Sequence, residues 1–199
     1  DVYAGVAADE LEDPRPWCEL LRQWSTLHPE FAFLPRKFKI AISAAAQDRA
    51  ASYVHDIGLQ IHHIDGQTRF RVIVGGGVGR TPLLGTVIHE ALEPVHLRSY
   101  LEAVLRVYNR LGRRDNKYKA RIKILVKETG KERFRELVEA EFARLRDGEL
   151  SLTDAEIAGY KAHFPAPDYA SAAAAAERDA KAVPTLWEQH NTHAHQQSD

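Results

Sequence analysis

The stretch LPRKFKI at residues 34–40 is the part of the sequence that most narrows the fold and function of this chain. It opens an apolar alternation in which Phe38 and Ile40 are expected to face a core, so Lys37 and Lys39 leave the predicted strand side by side on the other face. Two ammonium groups this close repel each other, and a fold tolerates them most readily when an anion lies between them. A solvated edge strand, with lysines that prevent aggregation, is the alternative interpretation. The stretch therefore predicts either an oxyanion site or a protected sheet edge.

A run of three glycines in VGGGVG at residues 74–79 ends another predicted strand. Gly75, Gly76 and Gly77 would let the backbone approach a large flat ligand and would expose N–H groups to an anion. A flexible loop is the alternative. The run is not a dinucleotide-binding fingerprint, because no G-x-G-x-x-G motif opens a helix here with an acidic residue downstream.

Basic residues are concentrated in residues 106–123, where eight Arg or Lys accompany one acidic residue. The whole chain has a formal net charge of −1, so this basic character is local. A helix is predicted over residues 115–128. Helical spacing would place Arg114, Lys117 or Tyr118, and Arg121 on one face, and Lys119 and Lys123 on another. The stretch predicts an anion-binding surface, with an ordinary solvated helix as the alternative.

Apolar periodicity predicts an α+β fold, in which a small and mainly antiparallel sheet packs against helices. A first helix is opened by Asp13 and Pro14 and stopped by the pair His28-Pro29. The other predicted elements are strands over residues 37–43, 57–61 and 70–74, with a turn at Asp65-Gly66, then helices over 95–111, 115–128, 134–145, 153–160 and 170–182.

Length and composition exclude several classes of protein. With 199 residues, 44% of them hydrophobic, the chain can bury the core of one domain. A net charge near zero gives no global argument for binding to nucleic acid or to a membrane surface, and no apolar run approaches the roughly 18 residues of a membrane span. Cys18 is the only cysteine, which excludes an internal disulfide and any four-cysteine iron–sulfur cluster held by this chain alone. A cytoplasmic location is expected.

Four runs of sequence resemble the siroheme-containing nitrite/sulfite reductase family, and most of all its sulfite reductase hemoprotein (beta) component. They are LPRKFKIAI, VHDIGL, VGGGVGRTP and RRDNKYKARIKILV, which occur in the family's order and at about its spacing. The resemblance implies a ferredoxin-like half-domain that binds siroheme at residues 30–147, after an N-terminal helical linker at 1–29. A linker at 148–199 would lead to a missing second half, so the chain is expected to be a fragment.

The resemblance also implies the chemistry of the full-length enzyme, which is six-electron reduction of sulfite to sulfide, with reduction of nitrite to ammonia as the alternative. Siroheme and a 4Fe–4S cluster would be the cofactors, with the cluster ligands in the missing half. Electrons would come from a flavoprotein reductase subunit or from ferredoxin, and the isolated fragment would be inactive. A hypothesis from another class is a small basic α+β module that binds nucleic acid, although few aromatic residues accompany the basic ones.

The same resemblance assigns roles to individual residues of this sequence. Lys37 and Lys39 would be the catalytic groups that hold sulfite or nitrite. The siroheme would be contacted by Arg36, by the glycines Gly75, Gly76 and Gly77, and by Arg114, Asn116, Lys119 and Arg121, with Arg80 and Thr81 as further candidates. Asp56 is expected to orient neighbouring backbone, and no residue of the chain is expected to bind a metal.

Overall fold

A four-stranded mixed sheet forms the centre of the protein in the computed structural model, which describes residues 3–165 and 185–191. The strands lie side by side in chain order and are β1 (Ile40–Ser43), β2 (Ile57–Ile64), β3 (Gln67–Val74) and β4 (Thr86–Leu92). β1 runs parallel to β2, while the pairs β2–β3 and β3–β4 are antiparallel. The predicted α+β class and the mainly antiparallel sheet are therefore confirmed.

The hairpin of β2 and β3 follows the sequence prediction closely. Its turn is Asp65-Gly66, and both residues have positive φ angles, 52° and 74°, as the tight hairpin turns require. The register pairs Ile57 with Val74 and Leu59 with Val72, which are fully buried on the face that carries the core. A slip of one residue would move this whole set to the other face of the sheet, so the alternation fixes the register.

Seven helices are found in the described residues. They are α1 (Arg15–Ser25), α2 (Pro29–Ala32), α3 (Leu97–Leu111), α4 (Ile122–Thr129), α5 (Lys131–Leu145), α6 (Asp154–Ala162) and α7 (Leu186–Asn191), and two 3₁₀ turns lie at Ser52–Val54 and Pro94–His96. α3 packs against the sheet and α5, and the rings of Tyr100 and Phe142 meet edge to face at 5.0 Å. α1 packs in the same core, where Trp17 meets Phe70 at 5.0 Å.

The helix predicted over residues 115–128 is wrong in its first half, because α4 begins only at Ile122. The Asn116 side chain accepts a hydrogen bond from the Tyr118 N–H at 3.0 Å, and the Tyr108 hydroxyl donates to the Ala120 carbonyl at 2.7 Å. Such bonds offer the backbone an alternative to the helix. Arg114, Tyr118 and Arg121 therefore do not share a helix face, and the basic stretch is mainly a loop.

Two further differences concern strands. β1 begins at Ile40 rather than at residue 37, since the Lys39 N–H bonds to the Asp56 side chain and not to a neighbouring strand. β4 was not predicted, because register shifts opposite Val72 and Ile73 disturb the alternation of its side chains.

The C-terminal part of the chain is only partly described. α6 confirms the short helix expected near residue 153, and Thr153 and Glu156 form a capping box at its start. The helix expected over residues 170–182 lies outside the described residues. Within 3–165 and 185–191, no helix is long and apolar enough to cross a membrane.

Candidate functional site: a basic cleft

One end of the sheet brings together the three stretches that the sequence singled out. Lys39 directly precedes β1, Asp56 precedes β2 and Gly75 follows β3. β1 and β2 are parallel and β2 and β3 antiparallel, so these three ends meet at the same edge of the sheet. The loop before α4 lies over this edge, because Arg121 reaches Asp56.

A cleft of about 190 Å³ opens at this end of the sheet, and we call it the basic cleft. Its lining has six cationic side chains and no acidic one. Such a concentration of one sign of charge attracts anions. The lining residues are Arg36, Lys37, Val78, Arg80, Thr81, Lys117, Tyr118, Arg121, Lys123 and Ile124.

Asp56 lies beneath the cleft and is fully buried, with 0% of its surface exposed. Its Oδ1 accepts hydrogen bonds from Arg121 Nη2 at 2.7 Å and Nε at 3.1 Å, and its Oδ2 accepts one from the Lys39 N–H at 3.0 Å. Its carbonyl oxygen accepts the Gly75 N–H at 3.0 Å. Burial raises the pKa of Asp56, while Arg121 and the Lys39 N–H oppose the shift. One residue thus connects all three stretches.

The glycine run packs against the chain itself. A Cβ on Gly76 would lie 2.2 Å from the Tyr53 carbonyl oxygen, and one on Gly77 would lie 3.1 Å from Arg121 Nη2. The N–H of Gly75 donates to Asp56 and that of Gly77 to the Leu83 carbonyl at 2.9 Å. These two N–H groups are therefore not open to an anion, contrary to the sequence interpretation. Gly76 instead allows the close approach of the Tyr53 carbonyl, and Gly77 allows that of Arg121.

Lys123 is a cleft residue to which sequence reasoning assigned no role in the site. The residue is only 7% exposed, and its Nζ donates to the Thr81 carbonyl, which holds the loop after β3. Burial lowers the pKa of Lys123, and the neighbouring Arg121 lowers it further. A lysine in the first turn of a helix is opposed by the helix dipole. If the start of α4 had been predicted correctly, this unfavourable position would have identified Lys123 as a candidate functional residue.

Seven predicted site residues lie outside the lining of the cleft, and three of them are the glycines Gly75, Gly76 and Gly77. Arg114 donates to the carbonyl oxygen and the Oδ1 of Asn109, and the Asn116 side chain bonds to the backbone of its own loop. Lys39 and Lys119 are exposed to solvent. Of the lysine pair, the structure places only Lys37 in the cleft.

Comparison with known proteins assigns the chain to a family. The sequence model of the nitrite and sulphite reductase 4Fe-4S domain matches residues 1–145. The chain is 36% identical over 148 residues to a sulfite reductase [ferredoxin] 1 of Mycolicibacterium paratuberculosis, covering 73% of this chain and 26% of that protein. It is 33% identical over 141 residues to a ferredoxin–nitrite reductase of Leptolyngbya laminosa, covering 68% of this chain and 28% of that protein.

A solved structure agrees with these sequence matches. The NirA protein of Mycobacterium tuberculosis superposes with a TM-score of 0.63 at 29% identity, over 72% of this chain and 26% of that one. The chain belongs to the nitrite and sulfite reductase family. Siroheme and a 4Fe–4S cluster are the cofactors of that family. The chain spans about a quarter of the length of the relatives it matches.

The residues of the basic cleft fit siroheme, and the chain does not fit the cluster. Siroheme carries carboxylates around a flat macrocycle, and Arg and Lys are the side chains that bind carboxylates. A cleft of about 190 Å³ is smaller than the roughly 300–1,000 Å³ of sites that enclose a whole organic ligand, so it suits one edge of the macrocycle. A single cysteine cannot supply the thiolates of a 4Fe–4S cluster, and the described residues include no cluster of metal-binding side chains.

Proposed function

We propose that this chain forms part of the siroheme site of an enzyme that reduces sulfite to sulfide. The observation that carries the proposal is the basic cleft, in which six cations from three separate stretches converge with no acid among them. Family membership gives this charge a ligand, because siroheme is rich in carboxylates.

The exposed cations of the cleft would bind siroheme by its carboxylates. Arg36 and Arg80 present guanidinium forks that suit such groups, and Lys37 presents a point charge. Arg121 uses Nε and Nη2 on Asp56, which leaves Nη1 for a ligand. When bound, siroheme supplies the redox centre at which the oxyanion is reduced.

The oxyanion itself is assigned to the lysines. Lys37 lies in the cleft, where a positive charge would attract sulfite and compensate the charge that arrives with electrons. Lys39 lies two residues after Lys37 in the sequence and is exposed to solvent. Its part in oxyanion binding, and those of Arg114, Asn116 and Lys119 in siroheme binding, rest on the family resemblance.

Sulfite is the proposed substrate, and ferredoxin the proposed electron donor. The names of several relatives contain both words, at 36% and 37% identity. Nitrite is the second candidate, because other relatives at 33% and 30% identity are named ferredoxin–nitrite reductases. Titration of the siroheme-loaded protein with sulfite and with nitrite, monitored by visible absorption, distinguishes the two candidate substrates.

Siroheme binding by the purified 199-residue chain tests the proposal. Titration of the chain with siroheme, monitored by visible absorption, should show saturable binding, because the siroheme carboxylates would bind the cations of the basic cleft. The double variant Lys37→Ala/Arg80→Gln removes two exposed cleft cations and should weaken binding by about tenfold or more, the change expected for lost charge-assisted bonds. The control Lys127→Ala/Arg133→Gln removes two exposed cations outside the lining and should leave binding unchanged. No saturable spectral change with the wild-type chain would contradict the proposal.

A further inference from the structure

We propose that Asp56 is a positioning residue, whose buried carboxylate sets the arrangement of Arg121 and of the Lys37–Lys39 segment at the mouth of the basic cleft. The inference rests on the proposed function and deepens it. It concerns a residue that does not line the cleft and would not touch the ligand.

The hydrogen bonds of Asp56 are distributed in a way that favours this role. One carboxylate oxygen takes both contacts from Arg121, and the other takes the backbone N–H of Lys39. The two partners are 65 and 17 residues away in sequence. A single acid therefore fixes two parts of the cleft relative to each other, as well as the end of β3 through Gly75.

Arg121 is confined on a second side by the glycine run. The position of a Cβ on Gly77 lies 3.1 Å from Arg121 Nη2 and 3.2 Å from Nη1, so the guanidinium rests against this glycine. Arg121 also occupies the N-cap position of α4, where its backbone precedes the helix directly. With Nε and Nη2 held by Asp56, the guanidinium loses little further rotamer freedom when Nη1 binds an anion, which favours binding.

An opposite role for Asp56 is physically possible, and it predicts an effect of opposite sign. A negative charge beneath a cationic cleft lowers the positive potential there, so its removal alone would strengthen anion binding. If Asp56 positions Arg121, its removal instead weakens binding in spite of the gain in net positive charge. The sign of the change in affinity therefore separates the two roles.

The test uses Asp56→Asn, which keeps the size of the side chain and removes its charge. Siroheme affinity is measured by visible absorption and sulfite affinity by calorimetry, on the whole chain. We expect both to fall about tenfold, the equivalent of one charge-assisted bond. The matched control is Asp48→Asn, because Asp48 also accepts from a backbone N–H and a side chain, those of Ser52, away from the cleft. It should leave both affinities unchanged.

A double-mutant cycle shows whether Asp56 acts through Arg121. In an Arg121→Gln background, Asp56→Asn should cause little further loss of affinity, because the amide oxygen of the asparagine can still accept the Lys39 N–H. A general loss of structure would instead reduce affinity equally in both backgrounds. If Asp56→Asn does not fold, Arg121→Lys replaces it as the test. Arg121→Lys keeps the charge but not the fork, and it should lose as much affinity as Arg121→Gln.

The outcomes separate this inference from the proposed function. Tighter binding by Asp56→Asn, equal losses in both backgrounds, or full affinity in Arg121→Lys would overturn the positioning role. Sulfite binding without siroheme binding by the wild-type chain would overturn the proposed function, and the sulfite affinities of the variants would still decide the role of Asp56. Binding of neither probe would overturn both.

Discussion

Arg121 illustrates what a sequence reveals about a single side chain. The density of basic residues around it predicted an anion-binding surface, and Arg121 and Lys123 line a cleft whose charged side chains are all cationic. The partner of Arg121 could not be predicted, because Asp56 lies 65 residues away and no local pattern connects them. Lys123 was missed for a related reason, since its burial depends on where α4 begins.

Gly76 offers a test of the close packing at the end of β3. The substitution Gly76→Ala should destabilise the fold by about 1–3 kcal/mol, as overpacking does, because a Cβ would lie 2.2 Å from the Tyr53 carbonyl oxygen, which is backbone and cannot move aside cheaply. Urea unfolding measures the loss. Gly159→Ala is the control, since this helical glycine has nothing within 4 Å of its Cβ position; it should stabilise α6 by about 0.5–1 kcal/mol. Equal midpoints for the two variants would contradict the packing described here.

At the scale of helices and strands, the elements predicted correctly were those whose sequence pattern lies within one short stretch. The hairpin of β2 and β3 was predicted because its turn residues and its alternation lie within one short stretch. β4 was not, since irregular pairing with β3 removes the alternation. Residues 115–121 were predicted as the first part of a helix, because helix propensity takes no account of the hydrogen bonds that the Asn116 and Tyr108 side chains make with this loop.

Glu12 bonds to residues of α1, β3 and α6 at the end of the sheet opposite the basic cleft. It accepts hydrogen bonds from Trp17 of α1 at 2.8 Å and Thr68 of β3 at 2.6 Å, and it pairs with Lys161 of α6 at 2.9 Å. Burial alone would raise the pKa of Glu12, but the bonds from Thr68, Lys161 and Trp17 outweigh it, and the pKa lies below the usual 4.5. The charged form is therefore the one that stabilises the fold.

The prediction for Glu12 is a stability difference that depends on pH. At neutral pH, Glu12→Gln should lower the free energy of unfolding by about 1.5–3 kcal/mol, the range for hydrogen bonds to charged groups. A group with a lowered pKa contributes stability above its unfolded pKa and loses it as the pH falls through the folded one. The difference should therefore shrink as the pH falls below 4.5. Unfolding by urea across this range measures it, with the exposed Glu132→Gln as control; a difference independent of pH would contradict the account.

At the scale of the whole molecule, the order of the strands explains why the site lies where it does. A parallel pair beside an antiparallel hairpin brings the starts of β1 and β2 and the end of β3 to one edge of the sheet. The start of β1 and the end of β3 carry two of the stretches that line the cleft, and Asp56 at the start of β2 holds Arg121 of the third. The motifs were visible in the sequence, but their convergence follows from the pairing of β1 with β2, which no motif encodes.

The size of the cleft is also a property of the whole molecule. The chain corresponds to about a quarter of the length of its relatives and presents a cleft that suits one edge of a macrocycle. A second cavity, of about 400 Å³, lies between β4 and α5 and also contains basic side chains, Lys131 and Arg135. The lining of this second cavity also includes Glu90 and Glu139, whereas the lining of the basic cleft holds six cations and no acid.

The most direct measurement is a map of backbone amide shifts by NMR when siroheme is added to the isotope-labelled chain. We predict that the shifts concentrate in residues 36–39, 75–81 and 117–124, which form and surround the basic cleft. Shifts concentrated instead at Val87, Ala91 and Lys131, beside the larger cavity, or the absence of any localised shifts, would contradict the claim that this end of the sheet holds the cofactor.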